Sequence, residues 1–260
     1  MVEGTSEELK DRNFITALAR GLDVLRCFRE GDTALSNTDL SKRTGLPKAT
    51  VSRLTHTLCK LDYLEVDNRT GTYRLSAGVM LLGFGVLASL DIAERARREM
   101  LKLRNGPNSY VVVALGERHG MNAVYLATET SREQVSLVAR VGTGLPLFRS
   151  AMGRAILTAM DEDERAQAFE TARTQDSDTE EFRQSSFNTA QEEMDRLGFC
   201  TGYGDWRPDV NGISVAFKSV IDNRVFGLNV GGPSFHLTPK ELETVYGPML
   251  VEAGKNLSLA

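Results

Sequence analysis

Leu46-Pro47-Lys48-Ala49-Thr50-Val51-Ser52-Arg53-Leu54-Thr55-His56-Thr57-Leu58-Cys59-Lys60 is the stretch on which the reading of this chain turns. Pro47 suits the first position of a helix, where its missing N–H costs nothing and its φ is already helical. At about 100° per residue, Val51, Leu54, Leu58 and Leu61 fall on one face. Ala49, Ser52, Arg53, His56 and Lys60 fall on the other, with Lys48 and Thr50 at the N-terminal end. That second face is small, hydroxyl-bearing and basic. Such a helix can enter a DNA major groove and hydrogen-bond base edges and phosphates. A solvated helix face would carry a similar pattern.

The flanking residues narrow the choice. Upstream, Ser36-Asn37-Thr38-Asp39 reads as a capping box that opens a short helix, and Gly45 closes it. A short helix, a glycine-containing turn and a basic-faced helix form the helix-turn-helix pattern. Before it, Phe14, Leu18, Leu22, Leu25 and Phe28 make one apolar stripe of a first helix. After it, Tyr63–Val66 and Thr72–Leu75 alternate around the turn cluster Asp67–Gly71. A hairpin in that place is a wing, and Arg69 and Arg74 give it charge for the DNA backbone. The expectation is a winged helix-turn-helix over residues 14–75.

Three runs carry a resemblance: Ala19-Arg20-Gly21-Leu22-Asp23-Val24-Leu25, Leu40 through Leu54, and Gly71-Thr72-Tyr73-Arg74-Leu75. Together they resemble the N-terminal domain of IclR-type bacterial transcriptional regulators. Further matches lie at Arg140 through Leu147, Ser150 through Leu157 and Gly231-Gly232-Pro233, so the likeness extends from Phe14 to about Leu257. It implies a two-domain α+β chain: the winged domain, a linker helix over 76–106, and a GAF-like effector-binding and oligomerisation domain over 107–260 with a central antiparallel sheet. It also implies double-stranded operator DNA and a small-molecule effector as partners, and a homodimer or a dimer of dimers.

The residue pattern agrees with that order. Ser76 can cap a helix running through the apolar stretch 79–88 and on to Arg104, and Asn105–Asn108 reads as a boundary. Gly83-Phe84-Gly85-Val86-Leu87-Ala88 has the spacing of a dinucleotide-binding loop, but no strand precedes it. Strands are expected at Tyr110–Leu115, Ala123–Ala127, Val135–Val141, Phe199–Tyr203, Gly212–Val220 and Val225–Val230. Helices are expected at Ser150–Met160, Asp161–Thr171 and Phe187–Leu197, the last after a polar loop at Gln175–Ser185, and a closing helix after Thr238-Pro239.

A loop passing Gly142, Gly144 and Pro146 into a helix near Ser150 aims backbone N–H groups toward the sheet, a site for a carboxylate or phenolate. By position, the resemblance places Ala151, Met152, the loop Gly202–Asp205 (with Tyr203 and Asp205), Gly212, Asn229 and Gly231 at an effector pocket. Members of the family that take small keto acids use hydroxyl, thiol and acidic groups at such positions. This chain has glycines and Asn229 there, and Met152 where a smaller residue is common. A wider floor flanked by Phe148, Tyr125, Trp206 and Phe217 suits an aromatic or hydrophobic organic acid, with Asn229, Arg149 and Asp205 as polar contacts. Plain core packing would account for each aromatic equally well.

Composition sets the outer limits. The 260 residues are 41% hydrophobic and 25% charged, which excludes wholesale disorder, and length favours two domains. The longest apolar run is about half the roughly 20 residues of a spanning helix. The polar, acidic start is unlike a secretory signal, and three scattered cysteines suit a reducing cytoplasm, the expected location. The net charge of −4 hides a division: ten basic and seven acidic residues between Phe14 and Met80 leave that segment at +3 and the rest at −7.

Catalytic patterns are thin. His56, His119 and His236 are scattered, and there is no His-Glu-x-x-His, Cys-x-x-Cys or Gly-x-Ser-x-Gly. Asp161–Glu164 reads as a solvated first helical turn. Cys200 could hold a reactive thiol, although a buried, inert one fits the same neighbours. No catalytic residue, metal site or cofactor is expected. Two alternatives remain: a metabolic enzyme whose N-terminal helices only dimerise, and a DNA-binding protein whose second domain only oligomerises.

Overall fold

The structure, a computed structural model, describes residues 12–29, 31–88, 91–133, 137, 139–221 and 223–259. They form two compact units that divide at residues 89 and 90.

The first unit contains α1 (Thr16–Arg26), β1 (Leu35–Ser36), α2 (Asn37–Thr44), α3 (Lys48–Lys60), β2 (Leu64–Asp67), β3 (Thr72–Leu75) and α4 (Ala77–Ala88). The capping box at Ser36 is formed: its hydroxyl accepts the Asp39 N–H at 3.2 Å and Asp39 accepts the Ser36 N–H at 3.0 Å. The Ser36 hydroxyl also donates to Asp39 Oδ2 at 2.6 Å, and this bond, with that from the Ser36 N–H, holds the Asp39 carboxyl below its ordinary value. Gly45 ends α2 at φ +72°, a conformation that favours glycine. The short strand β1 went unseen in the sequence; it pairs with β3, so the hairpin becomes a three-stranded sheet in the order β1-β3-β2.

The core of this unit is Val24, Cys27, Leu35, Leu40, Val51, Leu58 and Leu64. Two expectations about it need correction. The stripe of α1 is buried only toward its C-terminal end, and Phe14, Leu18 and Leu22 are exposed. In α3, Leu61 lies past the last helical residue, just before Asp62 at φ +58°, and is 58% exposed. Thr55 completes the buried face instead, its hydroxyl donating to the Ser52 carbonyl at 3.1 Å.

The second unit contains α5 (Asp91–Arg104), β4 (Val112–His119), β5 (Asn122–Glu129), β6 (Gly144–Pro146), α6 (Ala151–Ala159), α7 (Glu162–Gln175), α8 (Glu180–Leu197), β7 (Cys200–Tyr203), β8 (Val210–Lys218) and β9 (Val225–Pro233). It closes with α9 (Pro239–Glu241), a π-helical turn (Leu242–Tyr246) and α10 (Gly247–Leu259). The strands make one antiparallel sheet in the order β6-β5-β4-β9-β8-β7.

Alternation gives that sheet two faces. Val111, Val113, Leu115, Ile213, Val215, Phe217, Phe226, Leu228 and Val230 pack with α5 and α10 residues. Val112, Ala114, Ala123 and Tyr125 pack with α6 and α7. α5 belongs to this unit because Ile92, Ala96, Met100 and Leu103 are buried in the first of these cores. The division therefore falls inside the stretch expected as linker, earlier than Asn105–Asn108. That turn is itself tied in: the Asn108 N–H donates to the Tyr246 hydroxyl and its Nδ2 to the His236 carbonyl, both at 2.8 Å.

Of the strand expected at Val135–Val141, residues 135, 136 and 138 lie outside the described set, and the described residues 137 and 139–141 are not in a strand; the edge strand is β6. α8 begins seven residues before Phe187, at Glu180, because Thr179 caps it by accepting the Phe182 N–H at 3.2 Å. The expected loop shrinks accordingly. Among the described residues no single helix is long and apolar enough to cross a membrane.

Glycine marks where α6 is closest to its neighbours. A Cβ on Gly153 would collide with the backbone of Leu147, whereas one on Gly21 in α1 would meet nothing within 4 Å. Gly153→Ala is therefore expected to destabilise the second unit by about 3 kcal/mol. Gly21→Ala should stabilise the first by about 0.5–1 kcal/mol. Urea denaturation of the two variants checks both signs.

Candidate functional sites

In the first unit, α3 turns Val51, Thr55 and Leu58 inward and leaves Lys48, Ala49, Ser52, Arg53, His56 and Lys60 exposed on the outer surface, with Thr50 half-buried at the rim. The structure thus brings the expected DNA-facing residues of this helix together. On the wing, Arg69 follows β2 in an Asp67-anchored turn, its N–H donating to Asp67 Oδ1 at 2.8 Å. Arg74 on β3 lies opposite Glu65 on β2 and binds it through Nε at 2.9 Å. Its charge is partly offset, which the sequence reading did not foresee. Asp32 is bound by the Arg43 guanidinium, which also reaches the Cys27 carbonyl at 2.7 Å, so the segment before α2 is fastened to that helix. This contact depresses the Asp32 pKa to about 2.

In the second unit a small cavity, with about 30 Å3 of room for water-sized contents, lies between the start of α6 and the sheet. Its lining includes Leu137, Leu145 and, from the expected set, Tyr125, Arg149, Ala151, Gly202, Trp206, Gly212, Asn229 and Gly231. Ser150 caps α6: its hydroxyl accepts the Gly153 N–H at 3.0 Å and donates to the Pro146 carbonyl at 2.9 Å. The first intrahelical bond runs from the Arg154 N–H to the Ser150 carbonyl, so the N–H groups of Ala151 and Met152 stand ahead of it, at the positive end of the helix dipole.

Five expected residues do not line this cavity. Phe148 is buried against Phe169 of α7, ring centroids 5.0 Å apart. The Met152 side chain enters the sheet where Gly116 and Gly227 pair across β4 and β9; a Cβ on either glycine would come within 2.7 Å of it. Tyr203 sits one residue from Gly202, hence on the opposite sheet face, and its hydroxyl donates to Glu243 Oε1 at 3.0 Å. Phe217, five residues from Gly212, is on that opposite face too, packed near Phe226. Asp205 accepts the Tyr203 N–H at 3.2 Å and lies 3.8 Å from Arg154 Nη1.

Arg149 reaches the cavity edge, but its Nε donates to Asp178 at 2.8 Å and its guanidinium lies 4.5 Å from the Phe182 ring centre. Sequence reasoning missed Ser150, Asn211, Leu137, Leu145 and Val210 in the lining. The Ser-x-x-Gly spacing of an N-cap was the available sign for Ser150. Burial pushes the Tyr125 phenol well above its ordinary pKa, so it enters any contact as a neutral hydroxyl. No group of three or more His, Cys, Asp or Glu among the described residues is placed to hold a metal ion.

Residues 17–68 match the IclR helix-turn-helix domain and residues 84–259 match the bacterial transcriptional regulator IclR C-terminal domain. The chain belongs to the IclR family. It is 33% identical over 252 residues to the HTH-type transcriptional regulator TsaQ1/TsaQ2 of Comamonas testosteroni, covering 95% of this chain and 89% of that protein. The crystal structure of an IclR family transcriptional regulator from Brucella abortus superposes with a TM-score of 0.84 at 37% identity, over 99% of this chain and 96% of that one. An IclR homologue from Microbacterium hydrocarbonoxydans, crystallised with 4-hydroxybenzoate, shares the fold at a TM-score of 0.69 and 20% identity, over 94% and 98% of the two chains. IclR-family proteins are transcriptional regulators rather than enzymes, which removes the metabolic-enzyme alternative.

Cys200 also has the environment of an inert thiol. It is fully buried, its Sγ donates to the Ala190 carbonyl at 3.6 Å, and burial pushes its pKa up to about 12. The folded protein holds this proton more tightly than the unfolded chain does, so the associated stability is complete below pH 9 and is lost as pH rises from 9 to 12. Iodoacetamide at pH 8 is therefore expected to leave Cys200 unmodified in the native protein and to label it after denaturation, as peptide mass mapping would read. Native labelling of Cys200 would contradict this burial.

Proposed function

We propose that this IclR-family regulator controls a catabolic operon in response to an aromatic or hydrophobic organic acid. The observation that carries the reading is the cavity lined by Ala151 at the N-terminus of α6 and walled by Tyr125, Trp206, Leu137 and Leu145. A carboxylate is favoured at such a helix end, and the apolar walls favour an organic body over a small keto acid. The Microbacterium homologue, which shares the fold, was crystallised in complex with 4-hydroxybenzoate.

DNA reading rests with the outer face of α3, namely Lys48, Ala49, Thr50, Ser52, Arg53, His56 and Lys60, and with Arg69 and Arg74 on the wing. A homodimer, or a dimer of dimers, would set two such helices in successive major grooves of a near-palindromic operator. Exposed Phe14 and Ile15 just before α1, Leu18 and Leu22 on it, and Met80, Leu81 and Phe84 on α4 supply the apolar surface that association within such a dimer would cover. Effector binding would act by shifting the populations of arrangements with different helix spacing.

The test is a gel shift with the DNA upstream of the protein's own coding region, titrated with aromatic and aliphatic acids. Arg53→Ala is expected to weaken specific binding by about 1–3 kcal/mol and relax the sequence preference. Lys48→Ala should weaken binding to all sequences alike and lower the salt slope by about one. Arg74→Ala should cost less than Arg53→Ala, because Glu65 already engages that guanidinium. An unchanged shift in Arg53→Ala, or no response to any acid in the panel, would sink the corresponding half of the reading.

A further inference from the structure

The end of the recognition helix α3 and the start of α4 meet at one joint inside the first unit. α3 stops in a left-handed turn, with Asp62 at φ +58°. The Asp62 N–H donates to the Cys59 carbonyl at 3.2 Å and the Tyr63 N–H to the Leu58 carbonyl at 2.9 Å. Apart from glycine, aspartate and asparagine are the residues that take this conformation at least cost. The turn leaves the Asp62 carbonyl in reach of Ser76, the residue after β3. The Ser76 hydroxyl donates to that carbonyl and accepts the Gly78 N–H at 3.0 Å. One hydroxyl thus caps α4 and fastens it to the end of α3. The Ser76 N–H donates to the Tyr63 carbonyl at 3.1 Å, which carries the β2–β3 pairing one step further.

Gly78 is the second observation. A Cβ there would overlap the Asp62 carbonyl oxygen, a backbone atom held by the turn. Gly21, Gly83 and Gly85, the other helical glycines described in this unit, would meet nothing within 4 Å. Helix propensity alone favours alanine at position 78, so the glycine there answers to the close approach of two backbones.

The rest of α4 lies outside the winged core. None of its described residues is buried, and the half-buried ones, Gly78 and Val79, are in its first turn. Farther on, Met80, Leu81, Leu82 and Phe84 are exposed. The helix that carries apolar surface for association is therefore joined to the helix that reads DNA through its first turn.

We propose that the Asp62–Ser76–Gly78 joint sets the angle between the recognition helix and α4, and with it the separation of the two DNA half-sites that a dimer reads. The inference rests on the dimer and operator reading set out above and adds positioning residues outside the DNA-facing surface. A link through one short side chain and a backbone contact has little room to bend, so α4 moves with α3 as a rod. A tilt of about 10° at the joint would displace the far end of this roughly 18 Å helix by about 3 Å, close to the base-pair step of about 3.4 Å. Half-site separation, rather than half-site sequence, is the quantity such a tilt changes.

Selection of binding sites by the full chain from a pool of random-sequence DNA duplexes tests it. The unaltered protein is expected to recover two copies of one half-site at a fixed separation. Ser76→Ala removes both bonds of the hydroxyl, and Gly78→Ala drives the two backbones apart. Both should recover the same half-site sequence at a separation that is shifted or spread over several base pairs. Each should bind the original two-site duplex at least roughly tenfold more weakly, because the second half-site no longer falls in place, yet bind a duplex with a single half-site within about twofold of the unaltered protein. Ser76→Thr keeps the hydroxyl and should restore the original separation. Unchanged separation and affinity in Ser76→Ala and in a folded Gly78→Ala would overturn the inference. A changed half-site sequence, or an equal loss on the single half-site, would overturn it too, since damage to the winged unit as a whole has that effect. Unpaired sites recovered by the unaltered protein would sink the dimer reading and this inference together. If urea denaturation shows that Gly78→Ala does not fold, Ser76→Ala and Ser76→Thr decide the matter.

Discussion

Close approach of α6 to the sheet is the constraint from which the second unit's architecture follows. Met152 enters the dent where Gly116 and Gly227 pair, and Gly153 lets the helix run against the Leu147 backbone. Any larger residue at these places would lift the helix, because a packed interior has no slack to absorb a methyl group. With α6 held down, the Ala151 nitrogen lies 3.1 Å from where a Cβ on Gly202 of β7 would be, and Ser150 fixes the first turn by capping Gly153. The cavity is thus what remains between a helix that is tightly seated along its body and a sheet that is bare beneath the helix start.

The first unit is governed by a different economy. Its core is small, and it relies on polar fastening at the points where the chain reverses. The Ser36–Asp39 box opens α2, Gly45 closes it, and the Asp32–Arg43 contact secures the preceding segment. These devices orient α3 without using its outer face, which leaves the small and basic residues free for a partner. The same thrift explains the exposed N-terminal half of α1: a core of seven fully buried residues covers only the C-terminal part of that helix.

What could be read from the sequence was whatever depends on local chemistry. The capping box, the αL glycine, the winged helix-turn-helix order and the helix at Ser150 all follow from residues within a few positions of one another. The placement of individual side chains in the second unit was less legible, for two different reasons. Tyr203 and Phe217 were misplaced although strand parity from Gly202 and Gly212 already puts them on the far face. Met152 and Phe148 could not be resolved that way, since a helix start offers directions to both cavity and core. Only the distant pairing of Gly116 with Gly227, and of Phe148 with Phe169 on α7, decides between them. Of the strand expected at Val135–Val141, residues 135, 136 and 138 lie outside the described set, and the remainder is not in a strand.

Polar contacts bind the cavity's surroundings into one body. Arg154 of α6, 7% exposed, binds Glu193 of α8 at 2.5 Å, and Glu193 in turn accepts the Thr201 N–H at 2.9 Å and its hydroxyl at 2.6 Å. Thr201 adjoins Gly202, which lines the cavity. Separating these groups would strand a buried charge, and breaking a buried pair by removing one partner typically costs about 3–5 kcal/mol, more than a single small-molecule contact supplies. α6, α8 and β7 are therefore not free to move independently around an occupied cavity. A displacement at the helix start would therefore be shared with α8 through this pair.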